Sequence, residues 1–193
     1  MAQMLEKKVI VSQKKMVKKI ILAGNGGIGK TSLMQALCDF QFRPDNKLTV
    51  GADVFIIPYK IRGSLRFLQI WDLGGQDRFR FMLPDFKTGC SGMILGFDVS
   101  RRNSFLELKG WIELLRDNPE LPVVLIGTKI DLGYHPLINA EMAREFVVEK
   151  NLLDFFEISS KDKLNVHTPL NRLLSKIENC EDSEIEYVKM DNP

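Results

Sequence analysis

Hydrophobic residues along the chain fall into two kinds of segment that alternate. Short, nearly continuous apolar runs predict strands buried on both faces, and segments with an apolar residue at every third or fourth position predict amphipathic helices. Strands are expected at 17–23, 52–62, 65–73, 92–99, 123–127 and 155–158. Helices are expected at 31–40, 104–117, 139–150, with Asn139 as the N-cap, and 169–179.

The alternation of strands with helices predicts an α/β fold with a mostly parallel sheet of about six strands, flanked by about five helices. Only Gly63-Ser64 separates the runs 52–62 and 65–73. These two runs are therefore expected to form a hairpin that adds one antiparallel edge strand. Ligands of such sheets bind outside the carboxyl ends of the strands, so the loops that follow strands are the places to look for chemistry.

The composition is that of one ordinary globular domain. Of the 193 residues, 45% are hydrophobic and 27% are charged, and a domain of this size can bury a sufficient core without a metal or a disulfide. The three cysteines are widely spaced, so neither a zinc site nor a disulfide framework is expected. No apolar run is long enough to predict a membrane-spanning helix.

Each end of the chain carries an excess of one charge, positive at the N-terminus and negative at the C-terminus. Residues 1–19 hold six lysines and one glutamate, and residues 176–193 hold six acidic residues and two lysines. Because the body lacks a basic surface pattern, nucleic acid is not an expected partner. We expect a basic N-terminal arm (1–16), one globular domain (17–179) and an acidic C-terminal tail (180–193). Both ends are interpreted as solvated tails, and weak attraction of the lysines to an anionic membrane is the alternative.

A glycine-rich loop follows the first predicted strand. Its sequence, Gly24-Asn25-Gly26-Gly27-Ile28-Gly29-Lys30-Thr31, matches the phosphate-binding pattern G-x-x-x-x-G-K-[ST] without a gap. Glycines let consecutive backbone N–H groups point at phosphate oxygens, and the next helix adds its positive end. The ammonium group of Lys30 is expected to reach the β- and γ-phosphates, and the Thr31 hydroxyl to coordinate Mg²⁺. The expected phosphate-binding residues here are Gly26, Gly27, Ile28, Gly29, Lys30, Thr31 and Ser32; the alternative is a glycine-rich turn without a ligand.

A second polar loop, Thr128-Lys129-Ile130-Asp131, follows the strand predicted at 123–127. A carboxylate at Asp131 can accept hydrogen bonds from N1–H and the 2-amino group of guanine, and adenine offers neither donor. The aliphatic stem of Lys129 can lie across the plane of the base. Taken alone, this segment is more typical of a charged surface loop than of a guanine site.

A third motif decides between these interpretations. The stretch from Trp71 to Arg80, WDLGGQDRFR, contains D-x-x-G followed directly by glutamine. With it the chain resembles the Ras superfamily of small GTPases over about residues 17–179, with all five family motifs in order, which implies a P-loop G domain. LQIWDxxGQxRFR and FDVSRRNSF are most similar to the Rab branch. The pair Gly74-Gly75 with Asp77 is similar to the Arf branch, and TKxD is similar to the Rho branch.

The resemblance implies roles for the residues at matching positions. Asp72 would hold Mg²⁺ through water, the N–H of Gly75 would contact the γ-phosphate, and Gln76 would orient the attacking water. Thr49 would close over Mg²⁺ and the γ-phosphate. The implied catalytic residues are Gln76, Lys30 and Thr49; the implied metal ligands are Thr31, Thr49 and Asp72; and the implied guanine-binding residues are Phe42, Thr128, Lys129, Asp131, Ser159, Ser160 and Lys161.

Three positions depart from the family pattern. Thr128 replaces an asparagine that hydrogen-bonds the base and steadies the phosphate loop, so somewhat lower nucleotide affinity is expected. Ser160 replaces an alanine in a main-chain contact, which is a small change. Val54 stands where the Rab branch has phenylalanine, which argues against a Rab-type effector surface.

The implied function is a molecular switch that binds GTP and hydrolyses it to GDP at about 10⁻⁴ to 10⁻² s⁻¹ unless a partner accelerates it. Effectors, an exchange factor and a GTPase-activating protein would contact the switch regions near 43–57 and 74–88. The protein is expected to be a monomer. Two alternatives remain: a GTP-binding scaffold that does not hydrolyse, and an ATP-using P-loop enzyme such as a small kinase, which Asp131 disfavours.

The two ends match no targeting or lipidation motif. The first residues, MAQMLEKKVI, lack the apolar core of a signal peptide, and Ala2 stands where myristoylation requires glycine. Cys180 lies too far from the last residue for prenylation. We therefore expect a cytoplasmic protein whose contact with membranes is peripheral and either weak or indirect.

Overall fold

The computed structural model describes residues 17–38, 51–74, 88–114 and 118–188. The strands are β1 (Val17–Gly24), β2 (Ala52–Ile61), β3 (Ser64–Leu73), β4 (Gly92–Asp98), β5 (Val123–Thr128), β6 (Asp154–Glu157) and β7 (Ile185–Tyr187). The α-helices are α1 (Lys30–Leu37), α2 (Arg102–Leu106), α3 (Leu108–Glu113), α4 (Ala140–Glu149) and α5 (Thr168–Glu178), and two 3₁₀ helices span Ile130–Leu132 and Asp182–Glu184. None of the helices in these ranges is long and apolar enough to cross a membrane.

The seven strands form one sheet in the order β6-β5-β4-β1-β3-β2-β7. Strand β2 is antiparallel to both of its neighbours, and the other adjacent strands are parallel. The predicted α/β class and mostly parallel sheet are confirmed. The antiparallel strand does not lie at the edge, however, because β7 adds one strand more than expected and covers part of it.

Helices pack on both faces of the sheet, and each strand directs successive side chains to opposite faces. Ile20 and Leu22 of β1 belong to the apolar layer that contains α1 and α5, and Ile21 and Ala23 belong to the layer that contains α2, α3 and α4. This packing fixes the strand ends relative to one another. The carboxyl ends of β1, β3, β4, β5 and β6 therefore meet at one edge of the sheet.

The predicted hairpin is confirmed, with its turn one residue earlier than expected. Arg62 and Gly63 form the turn with φ angles of 50° and 74°, and Ser64 already pairs with Ile61. A two-residue turn of this kind requires positive φ at both positions. The predicted N-cap of α4 is also confirmed, because the side chain of Asn139 accepts a hydrogen bond from the following helical turn.

The helix expected at 104–117 is divided in two. It begins earlier, at Arg102, and Glu107 separates α2 from α3; residues 115–117 lie outside the described part. The carboxylate of Glu107 accepts a hydrogen bond from the Asn25 side chain at 2.6 Å. Apolar periodicity did not predict the break, because both short helices contribute side chains to the same apolar layer.

The C-terminal segment turns back onto the sheet. Residues Ile185–Tyr187 pair antiparallel with the end of β2, and the Tyr187 hydroxyl donates to the Asn171 side chain at 2.6 Å. The structure thus differs from the acidic tail expected from residue 180 onward, because residues up to 188 belong to the folded domain. A three-residue strand is too short to stand out as a periodic pattern, and its acidic surroundings are typical of a tail.

A buried carboxylate ties helix α5 to the hairpin. The side chain of Glu178, at the end of α5, is only 5% exposed. It accepts a hydrogen bond from the Tyr59 hydroxyl at 2.7 Å and forms an ion pair with Arg66, and Lys18 Nζ lies 3.8 Å away. Burial and the hydrogen bond to Glu178 raise the pKa of Tyr59, so its hydroxyl keeps its proton. One side chain therefore connects α5 with β1, β2 and β3.

Replacing Glu178 with alanine should lower the free energy of unfolding by about 2–4 kcal/mol, because several charge-assisted contacts of a buried carboxylate are lost together. The matched control is Lys176→Ala, at an exposed position of the same helix, where a change below about 0.5 kcal/mol is expected. Urea unfolding followed by circular dichroism measures both. Equal losses in the two variants would show that Glu178 does not stabilise the fold.

Candidate functional site

The glycine-rich loop joins the carboxyl end of β1 to the start of α1. At Gly24, with φ of 133°, an added Cβ would lie 2.3 Å from the backbone oxygen of Gly96. Only glycine therefore allows β1 to approach β4 this closely and leave the sheet in this direction. The N-cap of α1 is Gly29. Because this residue has no side chain, it leaves the first N–H groups of the helix without an N-cap acceptor.

The side chain of Lys30 extends back across this loop. Its ammonium donates to the backbone oxygens of Gly24 and Asn25 at 2.8 and 3.0 Å, and the residue is only 6% exposed. Burial lowers the pKa of Lys30 to about 8, although the negative charge of Asp72 acts in the opposite direction. An anion bound in the loop would favour the protonated form of Lys30. The loop therefore offers a buried ammonium that suits a phosphate.

The hydroxyl of Thr31 and the carboxylate of Asp72 meet beside the loop. Thr31 Oγ1 donates to Asp72 Oδ2 at 2.5 Å. Asp72 is fully buried near the end of β3, and its Oδ1 has no hydrogen-bond partner among the described residues. Burial raises the pKa of Asp72, an effect that the Thr31 hydrogen bond and Lys30 oppose. A hydroxyl oxygen beside a carboxylate oxygen that lacks a hydrogen bond offers two oxygen ligands, which suit a hard divalent cation.

The loop after β5 contacts the glycine-rich loop directly. Thr128 is buried, and its hydroxyl lies 2.6 Å from the Ile28 oxygen and 3.0 Å from the Phe97 oxygen. The ammonium of Lys129 donates to the Gly27 oxygen at 2.8 Å. Thr128 at the end of β5 and Lys129 after it thus contact two consecutive carbonyls of the glycine-rich loop. Thr128 supplies the contact to the phosphate loop that the family pattern assigns to asparagine.

Asp131 is exposed, and a buried side chain fixes the orientation of its carboxylate. Its Oδ1 accepts a hydrogen bond from Ser159 Oγ at 2.8 Å, and Ser159 is fully buried. The next residues along the chain are Ser160, which is half-buried, and Lys161, which is exposed. The structure therefore brings together the two segments that the sequence analysis assigned to guanine.

A side chain within the glycine-rich loop, Asn25, makes contacts that the sequence analysis missed. Its amide nitrogen donates to Glu107 at 2.6 Å, and its amide oxygen accepts from the Trp111 indole at 2.9 Å. These hydrogen bonds anchor the loop to the junction of α2 and α3. In the sequence, this anchoring role of Asn25 was indicated only by a polar residue at a variable position of the motif.

A buried carboxylate at the end of β4, Asp98, was also missed. Its Oδ2 lies 2.8 Å from the Lys129 ammonium. Burial acts to raise the pKa of Asp98, but hydrogen bonds from Lys129 and Ser100 outweigh it and hold the pKa below its ordinary value. The sequence feature that could have indicated it is an acidic residue at the carboxyl end of a strand predicted to be parallel.

Four of the predicted site residues lie outside the described residues. They are Phe42, Thr49, Gly75 and Gln76. Of the two expected switch regions, the structure describes 51–57 and the single positions 74 and 88. The described arrangement around the glycine-rich loop is therefore built from β1, α1, β3, β4, β5 and the junction of α2 and α3.

Comparison with known proteins places this arrangement in a family. Residues 19–179 match the model of the Ras family, which is most of the chain. The chain belongs to the Ras family. Among its relatives, the Ras-related protein RABG3b of Arabidopsis thaliana is 36% identical over 156 residues, which is 77% of either chain. The Ras-related protein Rab7 of Pisum sativum is 35% identical over 163 residues, which is 80% of this chain and 79% of that protein.

These relatives confirm the Rab-like character predicted from the central motifs. This Ras-family chain is a Rab-like small GTP-binding protein with a P-loop and an α/β G domain. Members of the family bind guanine nucleotide together with Mg²⁺ in general, and they act as switches.

Proposed function

We propose that this protein hydrolyses GTP to GDP slowly and acts as a nucleotide-dependent switch whose turnover a partner accelerates. The observation that carries the proposal is the meeting of three features at one sheet edge. They are the buried ammonium of Lys30 within the glycine-rich loop, the Thr31–Asp72 pair, and the oriented carboxylate of Asp131. A phosphate chain and a base both find matching groups there.

On the phosphate side, the backbone N–H groups from Gly26 to Ser32 and the ammonium of Lys30 would surround the phosphates. The contacts of Thr31 and Asp72 support a Mg²⁺ site that includes both. The described residues hold no cluster of three or more His, Cys, Asp or Glu side chains suited to a metal. Mg²⁺ in nucleotide sites needs only one or two protein ligands besides phosphate oxygens and water, and when bound it would neutralise charge on the β- and γ-phosphates.

On the base side, Asp131 would accept two hydrogen bonds from guanine, and Ser159 would orient it. The stem of Lys129 would lie along the base, while Phe42 would flank it. The main chain at Ser160 and Lys161 would reach the guanine oxygen. Thr128 would steady the phosphate loop through the backbone oxygen of Ile28, which lies 2.6 Å from its hydroxyl.

Hydrolysis would depend on positioning and on charge stabilisation. We assign the orientation of the attacking water to Gln76 and Thr49, and the γ-phosphate contact to the N–H of Gly75. Loss of the γ-phosphate would release both switch segments and change what partners recognise. Effectors, an exchange factor and a GTPase-activating protein would bind near 43–57 and 74–88, and the protein would act as a monomer. Its site of action would be the cytoplasm, with only weak or indirect peripheral contact to membranes.

The proposal is tested by single-turnover hydrolysis of GTP by the purified protein with Mg²⁺. The expected rate constant lies between about 10⁻⁴ and 10⁻² s⁻¹, which is slow enough that fast turnover needs a partner. No GDP after one day would favour the alternative of a non-hydrolysing GTP-binding scaffold. A rate constant above about 1 s⁻¹ would contradict the need for a partner.

A further inference from the structure

The motif FDVSRRNSF contains two charged residues, Asp98 and Arg101, to which the proposed function assigns no role. Asp98 ends β4 and is 1% exposed. Its Oδ2 lies 2.9 Å from Arg101 Nε and 2.8 Å from Lys129 Nζ. Its Oδ1 accepts hydrogen bonds from the backbone N–H and the hydroxyl of Ser100 at 2.9 and 2.6 Å. One buried carboxylate thus fixes two cations that come from two different loops.

Both cations also contact the glycine-rich loop. Arg101 Nη2 donates to the Gly26 oxygen at 3.0 Å, and Lys129 Nζ donates to the Gly27 oxygen at 2.8 Å. Two consecutive carbonyls of the loop are therefore held by side chains that Asp98 positions.

The geometry of the peptide bond converts these contacts into an orientation of N–H groups. A trans peptide is planar, so its C=O and its N–H point in opposite directions, and the described residues contain no cis peptide. With the Gly26 oxygen facing Arg101, the N–H of Gly27 points away from Arg101. With the Gly27 oxygen facing Lys129, the N–H of Ile28 points away from Lys129. These are N–H groups that the proposed function assigns to phosphate.

We propose that Arg101, fixed by Asp98, is a positioning residue that holds the Gly26–Gly27 peptide in the orientation that binds nucleotide phosphates. Consecutive glycines leave this peptide many alternative conformations, so an external tether has a large effect on it. A guanidinium suits the task, because its planar fork donates to a carboxylate and to a carbonyl at the same time. This inference rests on the proposed function, since it concerns the same nucleotide site.

Three variants test the proposal. Arg101→Ala removes the tether at a side chain that is 47% exposed, so folding is not at risk. Arg101→Lys keeps the charge but loses the planar fork. Arg102→Ala is the matched control, because it removes the same charge at the next residue, which is also exposed and makes no contact with the loop among the described hydrogen bonds and ion pairs. The measurement is the dissociation rate of fluorescently labelled GDP with Mg²⁺, and the affinity for guanosine is measured beside it.

Arg101→Ala should release GDP about tenfold faster than the unaltered protein, as expected for one partly exposed charge-assisted hydrogen bond. Arg101→Lys should fall between the two, and Arg102→Ala should match the unaltered protein. The affinity for guanosine, which has no phosphates, should stay the same in all variants. A merely structural role would weaken guanosine binding as well.

Two results would overturn the inference while the proposed function stands: equal GDP release from Arg101→Ala and Arg102→Ala, or an equal loss of guanosine and GDP affinity in Arg101→Ala. Failure of the unaltered protein to retain GDP would instead overturn the proposed function, and this inference with it.

Discussion

Changing Asp131 to asparagine should reverse the base preference of this protein from guanine to xanthine. The carboxylate of Asp131 would accept from both N1–H and the 2-amino group of guanine, whereas an asparagine amide places a donor against that amino group. Xanthine carries a carbonyl at this position and accepts the new donor. Because a mispaired polar contact costs several kcal/mol, GDP affinity should fall by about 10²–10³-fold.

The fold should tolerate this change. The amide oxygen of asparagine can still accept the hydrogen bond that Ser159 Oγ now donates to Asp131 at 2.8 Å. Competition binding with GDP and xanthosine diphosphate measures the reversal. The control is Asp162→Asn, the same change at an exposed residue of the neighbouring segment, which should keep the preference for guanine. Unchanged selectivity in Asp131→Asn would mean that another residue recognises the base.

Changing Lys30 to methionine should weaken GDP and GTP binding by about 10²–10³-fold, because a buried cation is the strongest single attraction for a phosphate chain in such a loop. Methionine fills a similar volume without the charge. The Gly24 and Asn25 oxygens lose the donors that now lie at 2.8 and 3.0 Å, so the loop also loses part of its shape. Equilibrium binding of labelled nucleotides measures the effect.

A comparison of ligands separates the charge of Lys30 from its structural role. The affinity for guanosine should change little, since guanosine carries no phosphate. The matched control is Lys19→Met, a lysine of β1 whose ammonium lies over the Trp71 ring at 4.7 Å, and it should bind GDP as the unaltered protein does. If Lys30→Met weakens guanosine and GDP binding equally, Lys30 supports the fold rather than the phosphates.

The sequence predicts well those elements that are determined by residues within or next to the element. The hairpin of β2 and β3 follows from Gly63 at a position that needs positive φ, and α4 begins where Asn139 caps it. The motif 24–31 predicts a loop between a strand and a helix, and the structure has one there. Each of these features depends on neighbours in sequence.

The features that the sequence does not predict have distant causes. Glu107 divides the expected helix, and its carboxylate contacts Asn25, which is 82 positions away. Strand β7 is only three residues long and is defined by its pairing with β2. The role of Asp98 appears only when the ends of β4 and β5 are brought side by side. In these cases the partner is fixed by the packing of the sheet, which local patterns do not encode.

The proposed GTP-hydrolysing switch is tested most simply by denaturing the freshly purified protein and identifying its bound nucleotide by chromatography. We expect mostly GDP, because the site would hold guanine nucleotide tightly and hydrolysis would run during purification. Mostly intact GTP would contradict hydrolysis and favour the scaffold. An adenine nucleotide would contradict the assignment of Asp131 to the base.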